Sequence, residues 1–67
     1  MTERQEQIVR CIRKWVADNG EPPTLGEIAV YVGLSSRSSV HYQLKRLEEQ
    51  GVVVRDERRR RAYRLAN

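Results

Sequence analysis

The 67-residue sequence predicts a mainly α fold of the α+β type: a bundle of three helices closed by a C-terminal two-stranded β-hairpin. Two observations carry this. Apolar residues recur with a 3.6-residue period in three separate stretches, each bounded by capping and stop signals, and beyond Gly51 the period changes to 2. A third, the charge distribution, bears on what the fold is for. Residues 1–34 hold four basic and five acidic side chains, whereas residues 35–67 hold nine basic and four acidic.

Thr2 and Gln5 stand at capping-box spacing, and Ile8, Cys11, Ile12, Trp15 and Val16 then share one face as far as Asn19-Gly20, a stop signal. This predicts a first helix of about 16 residues, with Trp15 as its largest core residue, Cys11 as a small one, and Arg10, Arg13 and Lys14 in solvent. The linker Gly20-Glu21-Pro22-Pro23 is short and rigid, because proline cannot continue a helix. Thr24 and Glu27 repeat the capping box, and Leu25, Ile28, Ala29 and Val32 form the stripe of a short second helix that stops at Gly33. Ser35 and Ser36 offer the next N-cap, and Val40, Leu44 and Leu47 define a third helix over about residues 36–50. Two short helices joined by a glycine-containing turn make a helix-turn-helix. The β-branched run Val52-Val53-Val54 and the alternation in Arg61-Ala62-Tyr63-Arg64-Leu65 read as two strands flanking a charged turn. That turn lacks Gly, Asn or Pro at its tip, so its type is not predictable from residue preferences. Three helices and such a hairpin make a single winged helix-turn-helix domain over residues 1–67, with a two-stranded β wing.

At 100° per residue, Ser38, Ser39, Tyr42, Lys45, Arg46 and Glu49 lie opposite the apolar stripe of the third helix, with His41 at its margin. Small serines at its N-terminal end allow close approach to base edges, and the positive end of the helix dipole favours a phosphate. Eleven of the thirteen basic residues are Arg, whose planar fork suits phosphate and guanine. The run Arg58-Arg59-Arg60-Arg61 is the strongest local charge signal; as a frayed tail it would still attract nucleic acid, but Tyr63 and Leu65 beyond it read as anchors, so an ordered wing is expected rather than a tail.

Taken together, PPTLGEIA, VGLSS, SSVHYQLKRLEEQGVV and RDERRRRAYRL resemble the N-terminal DNA-binding domain of the LexA repressor family, which governs the DNA-damage (SOS) response. The resemblance runs from about Thr2 to Leu65. It implies a second motif helix in the major groove of double-stranded DNA and two copies on a palindromic operator, a homodimer on DNA. It also implies base contacts from Ser36, Ser38, Ser39, His41 and Tyr42, and phosphate contacts from Lys45 and the wing residues Arg58, Arg59, Arg60 and Arg61; Arg37 and Arg46 join that phosphate set. The family's self-cleaving C-terminal domain, with its Ser-Lys dyad, has no counterpart in these 67 residues.

Other functions find less support. One His and one Cys, with no CxxC and no G-x-S-x-G, assemble neither a metal site nor a nucleophile with its base, so neither an enzyme nor a cofactor is expected. A protein-interaction module would expose an apolar patch on the second motif helix, which presents serines and cations instead. Sequence-specific RNA binding would ask for a platform of stacking aromatics, and Tyr31, Tyr42 and Tyr63 are too scattered for one. A non-specific DNA-binding accessory protein is the remaining alternative. No apolar run approaches a membrane span and no signal-peptide pattern heads the chain, so a cytoplasmic, nucleoid-associated location is expected.

Overall fold

The computed structural model describes residues 2–33 and 37–66, which form α1 (Glu3–Asn19), α2 (Leu25–Val32), α3 (Arg37–Glu49), β1 (Val53–Arg55) and β2 (Tyr63–Leu65). The first two helices begin at complete capping boxes. Thr2 Oγ1 accepts from the Gln5 N–H at 3.2 Å while Gln5 Oε1 accepts from the Thr2 N–H at 3.2 Å. At α2 the corresponding bonds are Glu27 N–H to Thr24 Oγ1 at 3.3 Å and Thr24 N–H to Glu27 Oε1 at 2.8 Å. Each satisfies two amides that an uncapped helix leaves without partners. Both helices end on a left-handed glycine, Gly20 at φ 74° and Gly33 at φ 76°, the conformation in which a side chain is strained. The N-cap expected at Ser35 and Ser36 lies outside the described residues.

The core is the union of the predicted stripes. Ile8, Cys11 and Ile12 of α1, Ile28 of α2, Val40, Leu44 and Leu47 of α3, and Val53 of β1 are fully enclosed, with Val9, Ala29 and Tyr63 beside them. Trp15 departs from expectation, since it is only half-buried and stands outside this cluster; Val16 is 40% exposed. The buried residues of α1 stop at Ile12. Beyond it, Trp15 shares an open groove with Thr24, Gly26, Val30 and Tyr31, and Val16 shares another with Arg64 and Leu65, so both side chains are flanked by neighbouring elements without being covered by them.

The strands pair antiparallel with Val53 opposite Leu65, Val54 opposite Arg64 and Arg55 opposite Tyr63. Asp56 organises the connecting turn. Its Oδ1 accepts the Arg58 N–H at 2.8 Å, an Asx-type bond, while the backbone bonds Asp56 N–H to Ala62 O (3.0 Å) and Ala62 N–H to Arg59 O (3.2 Å) close the loop. The linker after α1 is more than a spacer. Thr24 bridges antiparallel to Ala62, the Tyr63 N–H donates to Pro23 O at 3.0 Å and the Leu25 N–H to Arg61 O at 3.1 Å, so residues 23–25 run as a third lane beside the wing. Three helices with a two-stranded antiparallel wing make a winged helix-turn-helix.

Candidate nucleic-acid interface

Burying Val40, Leu44 and Leu47 turns the opposite face of α3 outward, because those three positions lie on one side of a 3.6-residue helix. Ser38, Ser39, His41, Lys45 and Arg46 are exposed, and Tyr42 is 58% exposed. Arg37, the first residue of α3, is also exposed, and its guanidinium lies over Gly26 of α2, where a Cβ would stand 3.3 Å from Nη2. Ser36 falls outside the described residues.

The wing comes back to the same helix. Arg37, Arg60 and Arg61 line a cleft of about 400 Å³ over the first turn of α2, with Thr24, Leu25 and Gly26 as its floor. A neighbouring cleft of about 490 Å³ joins His41 of α3 to Arg55, Arg60 and Arg61 of the wing, with Asp56 as the one carboxylate among the described residues on its wall. Neither Arg60 nor Arg61 is paired with a carboxylate among the described residues. Two elements far apart in sequence thus present their cations to common space, which concentrates positive potential there.

The four consecutive arginines of the turn do not act alike. The Arg58 side chain is 88% exposed and lies 3.6 Å from Asp56 Oδ1. Arg59, expected among the phosphate contacts, turns inward instead: its side chain is only 30% exposed, Nη1 donates to Pro22 O at 2.6 Å and Nη2 to Glu27 Oε2 at 3.3 Å, and Glu21 Oε1 stands 3.7 Å away. The physical reason is that Pro22 O has no other described partner and the Glu27 carboxylate already sits fixed by the helix cap. Burial alone would push the Glu27 carboxyl up, but the Thr24 backbone N–H and the charge and hydrogen bond of Arg59 outweigh it, leaving the group below the ordinary carboxylate range.

Two positioning contacts were not anticipated. Gln5, 5% exposed, donates from Nε2 to Gln43 Oε1 at 3.1 Å and so ties the cap of α1 to the middle of α3. Arg4 Nη1 donates to Val32 O at 3.3 Å, satisfying a carbonyl at the end of α2. The only sequence signal for either was a polar residue on a buried or half-buried helix face, which marks a buried group in need of a partner without naming it. Cys11 is enclosed in the core, and burial first, with the Glu27 charge second, pushes its thiol up to about 11. It therefore has almost no thiolate at neutral pH, the form a nucleophile needs. Among the described residues no three of His, Cys, Asp and Glu gather as a metal site, and no helix is long and apolar enough to cross a membrane.

Comparison with known proteins agrees with this geometry. The family model described as the LexA DNA binding domain matches residues 1–62. The chain is 46% identical over 65 residues to the LexA repressor of Brevibacillus brevis, covering 97% of this chain and 31% of that protein. It is 45% identical to the LexA repressor of Thermobifida fusca, over 97% of this chain and 26% of the relative, and 40% identical to that of Clostridium botulinum, over 97% and 32%. It spans about a third or less of the length of these relatives. A match of this extent, on a winged helix-turn-helix with these caps and this core, establishes that the chain belongs to the LexA DNA-binding domain family.

Proposed function

We propose that the chain binds double-stranded DNA sequence-specifically as the DNA-reading part of a transcriptional repressor, with α3 in the major groove and the wing on the backbone. The observation that carries this reading is a pair of neighbouring clefts between α3 and the wing: Arg60 and Arg61 line both, with Arg37 of α3 in one and His41 of α3 in the other. Family membership and the LexA repressor name of the relatives support it. Ser38, Ser39 and Tyr42 then read base edges, with Ser36 and His41 as flanking readers, and Arg37, Lys45, Arg46, Arg58, Arg60 and Arg61 neutralise phosphates. Arg59 leaves the phosphate set because its guanidinium turns inward, bonded to Pro22 O and Glu27 Oε2 and paired with two carboxylates. At 24 × 23 × 19 Å, the body is narrower than the roughly 34 Å that separates successive major grooves on one face of the duplex, so two copies fit side by side on a palindrome.

The experiment is fluorescence anisotropy with a damage-box palindrome and a scrambled duplex of equal length, each over a salt series. A palindrome preference of tenfold or more is the expected result. Equal, steeply salt-dependent binding to both would reduce the chain to a non-specific DNA binder. A protein-interaction reading has one observation in its favour: Val30 is 83% and Tyr31 44% exposed, and with half-buried Trp15 they border an apolar groove. Absence of binding to either duplex at low salt would promote that reading.

A further inference from the structure

Arg59 is the one arginine of the wing turn whose guanidinium hydrogen-bonds back into the fold, and what it holds is the base on which Arg60 and Arg61 stand. The Glu27 carboxylate is divided between two tasks: Oε1 accepts the Thr24 N–H that starts α2, and Oε2 accepts Arg59 Nη2. Arg59 Nη1 grips Pro22 O at 2.6 Å, a carbonyl on a segment stiffened by two prolines. On either side of Arg60, the Arg59 carbonyl accepts the Ala62 N–H and the Arg61 carbonyl accepts the Leu25 N–H. Arg61 meanwhile holds φ at 62°, a left-handed conformation disfavoured for any residue with a Cβ, which persists only where its surroundings impose it.

We infer that Arg59 and Glu27 form a clamp that positions Arg60 and Arg61 against α3, so that Glu27, an acidic residue next to Gly26 on the floor of the arginine-lined cleft, strengthens DNA binding. The inference rests on the DNA-binding reading above. Arg59 is a positioning residue rather than a phosphate ligand, and the two roles differ in the sign of one substitution. Counting charges alone, Glu27→Gln removes a negative charge from beside the arginines and tightens binding to a polyanion. The clamp predicts the reverse. Glutamine still satisfies the capping box, so the start of α2 survives, but the charged half of the bond to Arg59 is lost.

The test measures duplex affinity over a salt series for the wild type, Glu27→Gln, Arg59→Ala, Arg59→Lys and the double variant Glu27→Gln/Arg59→Ala, with circular dichroism melts as folding controls. Glu27→Gln is expected to bind about three- to tenfold more weakly, the scale of a partly exposed ion pair. Its salt slope should also fall, although it removes no cation. Arg59→Lys should recover little of the affinity lost in Arg59→Ala, because one ammonium cannot span Pro22 O and Glu27 Oε2 as Nη1 and Nη2 do, whereas a phosphate ligand would tolerate the change. The double variant should be no weaker than Arg59→Ala alone, because both substitutions break one interaction. Glu27→Gln binding as tightly as the wild type, or more tightly, with an unchanged slope would overturn the clamp while leaving the DNA reading intact. If the wild type bound no duplex, that reading would fail and its consequence for affinity with it. The positional half is then decided without DNA. Amide exchange at Leu25 and Tyr63, which donate across the linker and wing, should quicken about three- to tenfold in Arg59→Ala, and unchanged protection would overturn it.

Discussion

Replacing Arg60 and Arg61 together by alanine probes the wing at the point where it meets α3. Both side chains are exposed, both line the clefts shared with Arg37 and His41, and neither has a carboxylate partner among the described residues, so their removal leaves no buried group stranded. Alanine at position 61 keeps a Cβ and therefore roughly the same backbone cost at φ 62°, which holds the turn geometry comparable. Each phosphate contact contributes about 0.9 to the slope of log affinity against log salt, so two contacts contribute about 1.8. Between 50 and 200 mM salt, a fourfold rise, a change of that size alters affinity by about twelvefold. The wild type should therefore outbind the variant by a factor that shrinks about twelvefold over that range, equally on palindromic and scrambled duplexes. Anisotropy titrations at four or five salt concentrations read this directly, with thermal melts of the two proteins expected to agree within a few degrees. Parallel slopes for wild type and variant would refute the assignment of these arginines to phosphate.

Four further outcomes follow from the same geometry. Ser39→Asp should abolish preference for a specific site by placing a carboxylate in the groove, whereas Ser39→Ala should cost no more than about tenfold, the scale of one base contact; equal losses in competition binding would mean that α3 docks another way. Leu44→Ala empties a fully enclosed position and should cost about 2–5 kcal/mol out of the roughly 3–10 kcal/mol expected for a domain of this size. That lowers the melting temperature by at least about 8 °C, and a drop under about 4 °C would contradict the core as described. Cys11 should resist a thiol-disulfide reagent in the folded protein and react at once in denaturant, since it is enclosed and its thiol is pushed up to about 11; rapid labelling of folded protein would contradict its burial. Glu27 has a folded-state pKa below its unfolded value, so its contribution is fully present above the ordinary carboxylate range and is lost as pH falls through that range toward the folded value. The acid loss of melting temperature should accordingly be smaller in Glu27→Gln than in the wild type, and identical pH profiles would show that the cap and clamp carry no such linkage.

Local signals foretold most of the helical architecture because it is locally determined. Thr2 with Gln5 and Thr24 with Glu27 are complete instructions for a helix start, and Gly20 and Gly33 for a stop, all within four residues of where they act. The stripe Val40, Leu44 and Leu47 likewise fixed which face of α3 is buried. What local patterns could not supply was long-range. Periodicity puts Trp15 on the apolar face but does not say that the groove it shares with Val30 and Tyr31 stays open. The destination of Arg59 depends on Pro22 and Glu27, 37 and 32 residues away, and in sequence it is one of four identical arginines. The wing turn was unreadable in terms of glycine and proline, yet Asp56 was there to be read as an Asx-turn former. The linker was seen as rigid but not as a lane beside the wing, because a proline segment advertises only that it accepts hydrogen bonds and never which amide will donate them.

The most direct measurement is the backbone amide chemical-shift map of the ¹⁵N-labelled protein titrated with a palindromic duplex. The proposed interface predicts the largest changes at Arg37 to Arg46 along the exposed face of α3 and at Arg58, Arg60 and Arg61 in the wing, with Trp15, Val30 and Tyr31 little affected. Changes concentrated on Trp15, Val30 and Tyr31, with α3 and the wing silent, would contradict it.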